Sequence, residues 1–258
     1  MRVVFLCDDE PFNIPRTVLE VMRRRPGDSF WVVPLGGHGS AGRGFLNAKR
    51  YFILYGAVGF VRMALRFAAR RLLGSLGVTK GGPYSLAQSA RAAGAGLLRV
   101  RRINSAEGRR ALAALDPDVI VSVACPQVLS RRTLALARMA AVNVHSALLP
   151  RNRGMLPTFW SLLDEPPCPG VTVHEMVPEI DAGDILAQRA VRIEAGASLW
   201  DLLAECKSVA ADLLVEVLEK IEQGAVERRP NPASLATVHS FPGARDVREF
   251  RRRGWRTL

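Results

Sequence analysis

This chain of 258 residues predicts an α/β fold: a mostly parallel, Rossmann-like sheet with helices on both faces. Three observations predict it. The runs "VVFLC" (3–7), "FWVVP" (30–34) and "DVIVSVAC" (118–125) are almost continuously apolar, as strands buried on both faces are. Helical periods lie between such runs, which gives a β-α-β opening. Apolar residues make up 48% and charged residues 23%, enough core for a folded domain and too little charge for a disordered one.

The elements follow in order. "IPRTVLEVMRRR" (14–25) has a helical period with Pro15 near its start. "GGHGSAGRG" (36–44) contains a formal dinucleotide fingerprint at 37–42. It follows the second strand, however, and no acid lies about twenty positions beyond to hold a ribose. It reads as a flexible loop, with phosphate contact through its N–H groups as the functional alternative. "NAKRYFILYGAVGFVRMALRFAARRLLGSLG" (47–77) has its longest uncharged run at Tyr51–Val61, too short to cross a bilayer. Arg62, Arg66 and Arg70 recur every four residues, and Val61, Leu65, Ala68 and Leu72 supply apolar positions. That is a basic amphipathic helix, able to lie on an anionic membrane, to bind a partner, or to stand in solvent.

Beyond it, 85–96 reads as a glycine-ended helix and 97–103 as a strand. A helix at 105–115 is capped by Ser105, and 118–125 is the central strand. A helix at 130–139 and a strand at 141–145 follow. The alternating segments 170–176 and 184–193 suit an antiparallel or mixed edge, and 198–224 is the clearest helix, capped by Ser198 and ended by Gly224. The expected organisation is one catalytic domain over 1–224, with a basic amphipathic insertion at about 47–80, and a basic C-terminal tail over 225–258.

Net charge is +12, and its placement matters more than its size. No acid lies between Asp28 and Glu107, while twelve of the 36 basic residues do. The 24 that remain are matched by the 24 acids. A local basic patch calls for an anionic partner. Cys7, Cys125, Cys168 and Cys206 lack metal-ligand spacing, so no metal is expected and the thiols read as reduced, in the cytoplasm. The N-terminus turns acidic after one short apolar run, unlike a signal peptide.

The candidate chemistry sits in "AVNVHSALLP" (141–150). Asn143 and His145 are two apart on a strand, so they share a face and emerge where the strand meets its loop. Ligands bind at the carboxyl ends of such strands. Asp181, in the turn "PEIDAGDI" (178–185), is the third candidate. An Asn, a His and an Asp can together polarise a carbonyl, stabilise an oxyanion and move a proton. The bland alternative is a core-bonded His and an Asx turn.

"NVHSALLPRNRG…GVTVHEMVPEIDAGDIL" resembles the folate-dependent formyltransferase family, which includes the glycinamide ribonucleotide, methionyl-tRNA and sugar N-formyltransferases. The carriers are Asn-x-His, a Leu-Leu-Pro loop and an Asp-x-Gly turn, with Asn143 and Asp181 38 positions apart. The resemblance is good over 85–224, looser over 1–35 and not evident over 36–80. It implies the formyltransferase fold and formyl transfer from 10-formyltetrahydrofolate to an amine. Asn143 would donate to the developing oxyanion and His145 would stabilise or protonate it. Asp181 would orient the His and relay the proton of the amine. It also implies a folate pocket walled by Pro126, Gln127, Val128 and Leu129, closed by Met176, Val177 and Glu179. Ser146, Arg153, Gly154 and Met155 would border the acceptor. His145-Ser146-Ala147 departs from the more usual His-Pro-Ser, a change of loop geometry beside the histidine, and Asn152 and Met155 stand in the loop that borders the amine in relatives, which puts the acceptor in doubt. The residues after Gly224 are too few for the β domain of the transfer-RNA enzyme, so nucleic acid is not the favoured partner.

The expected substrate is a small, phosphate-bearing amine, best an amino sugar on a nucleotide diphosphate. Peripheral contact with the inner face of an anionic membrane is an option, and the oligomeric state is open, a homodimer being one outcome. A purine-type or methionyl-tRNA-type enzyme, a formyltetrahydrofolate hydrolase, and a non-catalytic basic module that binds nucleic acid or membrane are the rivals.

Overall fold

In β1 (Arg2–Cys7) the side chains of Val3, Phe5 and Cys7 enter one apolar cluster and those of Val4 and Leu6 enter another. A strand whose alternate residues are buried on opposite sides lies at the centre of a covered sheet. In the computed structural model, which describes residues 1–35 and 41–258, β1 is one of the inner strands, next to β4 at the middle. The glycine fingerprint at 37–42 falls largely outside the described residues.

The chain runs β1, α1 (Ile14–Arg24), β2 (Ser29–Pro34), α2 (Ala41–Ser75), α3 (Leu86–Ala93), β3 (Gly96–Leu97), α4 (Ala106–Ala113) and β4 (Val119–Val123). It continues through α5 (Arg131–Leu134), β5 (Ala140–His145), β6 (Arg153–Gly154), α6 (Pro157–Ser161), β7 (Gly170–Glu175), β8 (Ile185–Ala190), α7 (Leu199–Glu222), β9 (Val238–His239) and α8 (Ala244–Arg252). Seven strands form one sheet in the order β3-β2-β1-β4-β5-β7-β8. The pairs from β3 to β5 are parallel; β7 is antiparallel to β5 and to β8, so the alternating segments form the antiparallel edge. The α/β fold with a mostly parallel sheet is therefore observed.

Helix α7 covers one face. Leu199, Leu202, Cys206, Ala210, Leu213, Leu214, Val217 and Leu218 are buried along it, each large side chain contributing about 1.5–3 kcal/mol. Its start is a capping box: Ser198 Oγ accepts from Asp201 N, and the Asp201 carboxylate accepts from Ser198 N. Helix α3 is held as its sequence suggests, with Ser85 at the N-cap and left-handed Gly94 at the C-cap.

Three elements differ from the sequence reading. The strand expected at 97–103 pairs only at Gly96–Leu97; Arg99 and Arg101 beyond it turn to line a cavity. Helix α2 is interrupted at Gly56, whose φ of 72° and ψ of 175° are non-helical. Although the uncharged run is short, Ala48–Ser75 is long and apolar enough to cross a membrane by length and composition, with a mean hydropathy of 1.5. Residues 225–258 pack back on the domain. Arg229 bridges Ile185, β9 pairs with β6, and Phe250 of α8 stacks on Phe159 at 4.5 Å.

Candidate active site

Ala141, Asn143 and His145 project to the face opposite Val142 and Val144, which point into the core under α7. The antiparallel register sets Asn143 opposite His174 and His145 opposite Thr172. A second histidine therefore joins the pair. Asn143 Nδ2 lies 3.1 Å from His174 Nε2, and the two imidazole rings are 6.3 Å apart, edge to face.

Asp181 reaches them from the turn after β7. Its φ is 50°, a left-handed conformation that Asp tolerates better than most residues. The turn is fixed from a distance: Asn231 Nδ2 donates to the carbonyls of Asp181 and Gly183, both at 2.9 Å. Gly183 is required there because a Cβ would lie 2.0 Å from the Glu175 carbonyl oxygen. Gly154, at φ 98°, passes so close to His239 that a Cβ would lie 2.2 Å from its carbonyl oxygen. That approach lets Gly154 N–H donate to Asp181 Oδ2 at 2.8 Å.

The result is a four-residue cluster. Asp181 Oδ1 is 3.4 Å from Asn143 Nδ2 and 3.5 Å from His174 Nε2; Asp181 Oδ2 is 3.5 Å from His145 Nδ1. The hydrogen-bond network assigns the neutral tautomers. His145 Nε2–H donates to the Asn152 carbonyl at 2.8 Å, which leaves Nδ1 bare toward Asp181. His174 Nδ1–H donates to the Glu175 carbonyl at 2.7 Å, and its Nε2 faces both Asn143 Nδ2 and Asp181 Oδ1. Burial pushes the Asp181 carboxyl up, but the His174 contact, the charge that His145 takes on in acid, and the Gly154 N–H outweigh it and hold the group at about 2. Burial dominates at His145 and pushes its pKa below the ordinary value, against the pull of Asp181. At neutral pH the cluster thus holds an ionised carboxylate beside a neutral imidazole with one open nitrogen.

A cavity of about 1120 Å³ runs along the carboxyl ends of the strands. Asp8, Asp9 and Glu10 line it after β1, Arg99 and Arg101 after β3, Ala124 and Pro126 after β4, and Ser146 after β5. Tyr55, Met63 and Phe67 of α2 form its far wall. Asp9 pairs with Arg71, and Glu10 accepts from the N–H groups of Phe12, Asn13 and Ile14 at the start of α1. Asp8 is raised to about 6, chiefly by burial. Lys207 of α7 donates to Ser146 Oγ at 3.3 Å, and burial lowers its pKa.

The other expected residues are placed as follows. Pro126 lines the cavity; Gln127 accepts from Ile103 N–H and donates to the Arg101 carbonyl; Val128 is exposed; Leu129 is buried. Met176 N–H donates to the Ala141 carbonyl, and its side chain packs against the same apolar cluster as Leu129. Val177 and Glu179 are exposed. The Arg153 guanidinium is buried, donating through Nη2 to Asn231 Oδ1 at 2.8 Å, away from the cluster. Met155 stays exposed, and its N–H pairs with His239. Sequence reasoning missed His174, Lys207 and Asn231, and it took Asn152 for an acceptor-loop residue, whereas its carbonyl meets His145. Only His174 carried a usable signal, since it lies on the Thr172 face of an alternating strand.

Residues 79–218 match the model of a family described as formyl transferase. The methionyl-tRNA formyltransferase of Staphylococcus aureus is 35% identical over 139 residues, which are 54% of this chain and 45% of that protein. The chain thus spans about half the length of the curated relatives it matches. Among solved structures, glycinamide ribonucleotide transformylase 1 from Symbiobacterium toebii is similar with a TM-score of 0.61 at 16% identity, over 90% of this chain and 94% of that one. A sugar N-formyltransferase from Shewanella sp. is similar with a TM-score of 0.57 at 16% identity, over 93% and 76%. At these identities the likeness is one of fold.

Proposed function

Because the chain belongs to the formyl transferase family, we propose that it transfers a formyl group from 10-formyltetrahydrofolate to a primary amine, and that the amine belongs to a nucleotide-linked amino sugar. One observation carries the reading. Asp181 holds its carboxylate within 3.4–3.5 Å of Asn143 and both histidines, at the carboxyl end of a central strand.

The surroundings suit the donor. Val128, Val177 and Ile180 are exposed apolar side chains on the loops that follow β4 and β7, on either side of β5. Apolar side chains left open beside a polar cluster suit a flat heteroaromatic ring. The donor supplies an activated carbonyl carbon; the amine bonds to it and the bond to the folate nitrogen breaks.

The residues divide the work. Asn143 Nδ2 carries two protons: one meets His174 at 3.1 Å, and the other makes the longer 3.4 Å contact with Asp181. The second is free to turn to the oxygen of the carbonyl under attack. His145 takes the proton shed by the amine at its bare Nδ1, and the imidazolium is met by Asp181 at 3.5 Å. A carboxylate held at about 2 is a weak base, so its part is to stabilise charge and to orient the rings. The same His145 proton can pass to the departing folate nitrogen.

The cavity, which Ser146 borders beside the cluster although Asn143, His145 and Asp181 do not line it, supports a bipolar acceptor. Asp8 offers negative charge for an ammonium, its neighbours Asp9 and Glu10 being engaged elsewhere, while Arg99 and Arg101 offer positive charge for phosphates. To test the acceptor, the protein is incubated with 10-formyltetrahydrofolate and a panel of nucleotide-linked amino sugars, glycinamide ribonucleotide and methionyl-tRNA. The expected result is a formyl mass gain on an amino sugar. A gain confined to the ribonucleotide or the transfer RNA reassigns the acceptor; donor breakdown with no amine formylated makes the protein a hydrolase.

A further inference from the structure

Val58, Val61, Leu65, Ala68 and Leu72 fall on one side of α2 after its break at Gly56, spaced by three and four residues. They face solvent: Val58 is 84% exposed, Leu65 67% and Leu72 60%. The opposite side is spoken for. Met63 is buried, Phe67 lies 6.2 Å from the Phe12 ring, Arg70 sits 4.8 Å over Phe12, and Arg71 pairs with Asp9. A helix apolar on both sides belongs in a core, yet this one has a core on one side only. The outer stripe shares no residue with the wall of the cavity.

We propose that α2 seats the protein on an anionic membrane surface, its outer stripe in the acyl boundary and its arginines among the headgroups. Charge selects this occupant over a second copy of the chain. Arg62 and Arg66 stand exposed beside the stripe, so two copies meeting there would oppose like charges. The helix carries no acid of its own to relieve this, because the sequence has none between Asp28 and Glu107. The neighbouring helix α8, tied to α2 by the Arg251 hydrogen bond to the Leu54 carbonyl, adds exposed Arg245 and Arg248. An exposed apolar stripe rimmed by arginine is the pattern of a helix lying in the plane of an interface. The helix lies along the surface and does not cross it. Gly56 breaks it, and its inner side carries Arg70 and Arg71 docked on the domain. It also lies outside the segment that matches the family. The proposal does not depend on the assignment of the reaction.

Co-sedimentation of the full chain with vesicles tests it. The probes are vesicles of equal parts phosphatidylglycerol and phosphatidylcholine, and of phosphatidylcholine alone. The wild type should bind the anionic vesicles and lose them in high salt. The double variants Val61→Ser/Leu65→Ser and Arg62→Gln/Arg66→Gln should each weaken binding by about tenfold or more. Both should keep their thermal midpoint and any formyl transfer to a soluble amine. The proposal is overturned if the wild type ignores anionic vesicles, or if both variants bind as it does. It is equally overturned if the wild type is a dimer that Leu65→Glu splits, since the stripe then covers itself.

Discussion

His174 stands beside Asn143 because β7 runs antiparallel to β5 in one particular register; a shift by one residue would turn it into the core. Asn143 and His145 were legible in the sequence because their spacing alone puts them on one strand face. His174 showed only the alternation of its strand, because its role depends on which strand pairs with which. The residue scale makes two predictions. Asp181→Asn should keep the fold and reduce kcat by roughly 10²–10⁴-fold, while folate binding, read by fluorescence titration, changes little. The pH response follows from the shifts. His145 is neutral in the fold and its pKa is lowered, so the unfolded chain binds more protons once pH falls below the ordinary imidazole value near 6.5. Stability therefore falls on acidification through that point, and the acid limb of kcat/KM should lie below 6.5. Asp181 has the depressed carboxyl. Its contribution, about 2 kcal/mol, is whole above 3.8 and is lost as pH falls toward 2. Urea titrations across pH, with His145→Gln and Asp181→Asn as controls, check both signs.

At the scale of elements, the site depends on short pieces that periodicity does not reveal. Strands β6 and β9 pair over two residues each, yet they bring Gly154 N–H to the Asp181 carboxylate. The Asp-Ala-Gly turn is visible in the sequence; the Asn231 side chain that fixes it comes from 50 residues further along. Gly154→Ala should cost about 1–3 kcal/mol, because a Cβ cannot sit 2.2 Å from a carbonyl oxygen and φ is 98°. Asn231→Ala should cost a similar ~1–3 kcal/mol by leaving the Asp181 and Gly183 carbonyls without their donor and Arg153 with only the backbone carbonyl of residue 231. It should also slow turnover more than it weakens substrate binding, which steady-state kinetics separates. The long helix was anticipated as one basic stripe of Arg62, Arg66 and Arg70. The structure divides it: Arg70 turns inward over Phe12, while Arg62 and Arg66 remain outside. Wheel positions give a face, but they do not say which face the domain will take.

Over the whole molecule, the sheet centre was the most legible part, since its strands are apolar on both faces and need no partner to be recognised. The C-terminal end of the chain was the least. Residues after Gly224 read as a basic tail because they lack period, yet they supply β9, Asn231 and Phe250 to the site and its support. Truncation after Gly224 should therefore abolish turnover and lower the thermal midpoint, as calorimetry would show. The central claim is that Asn143, His145 and Asp181 move a formyl group to an amine. Acceptor-dependent release of tetrahydrofolate from 10-formyltetrahydrofolate, followed for the wild type and His145→Gln, tests it most directly. The account predicts release that requires the amine and falls by roughly 10²-fold or more in the variant while its fold persists. Equal rates in the two proteins, or no release by the wild type with any amine, would contradict it.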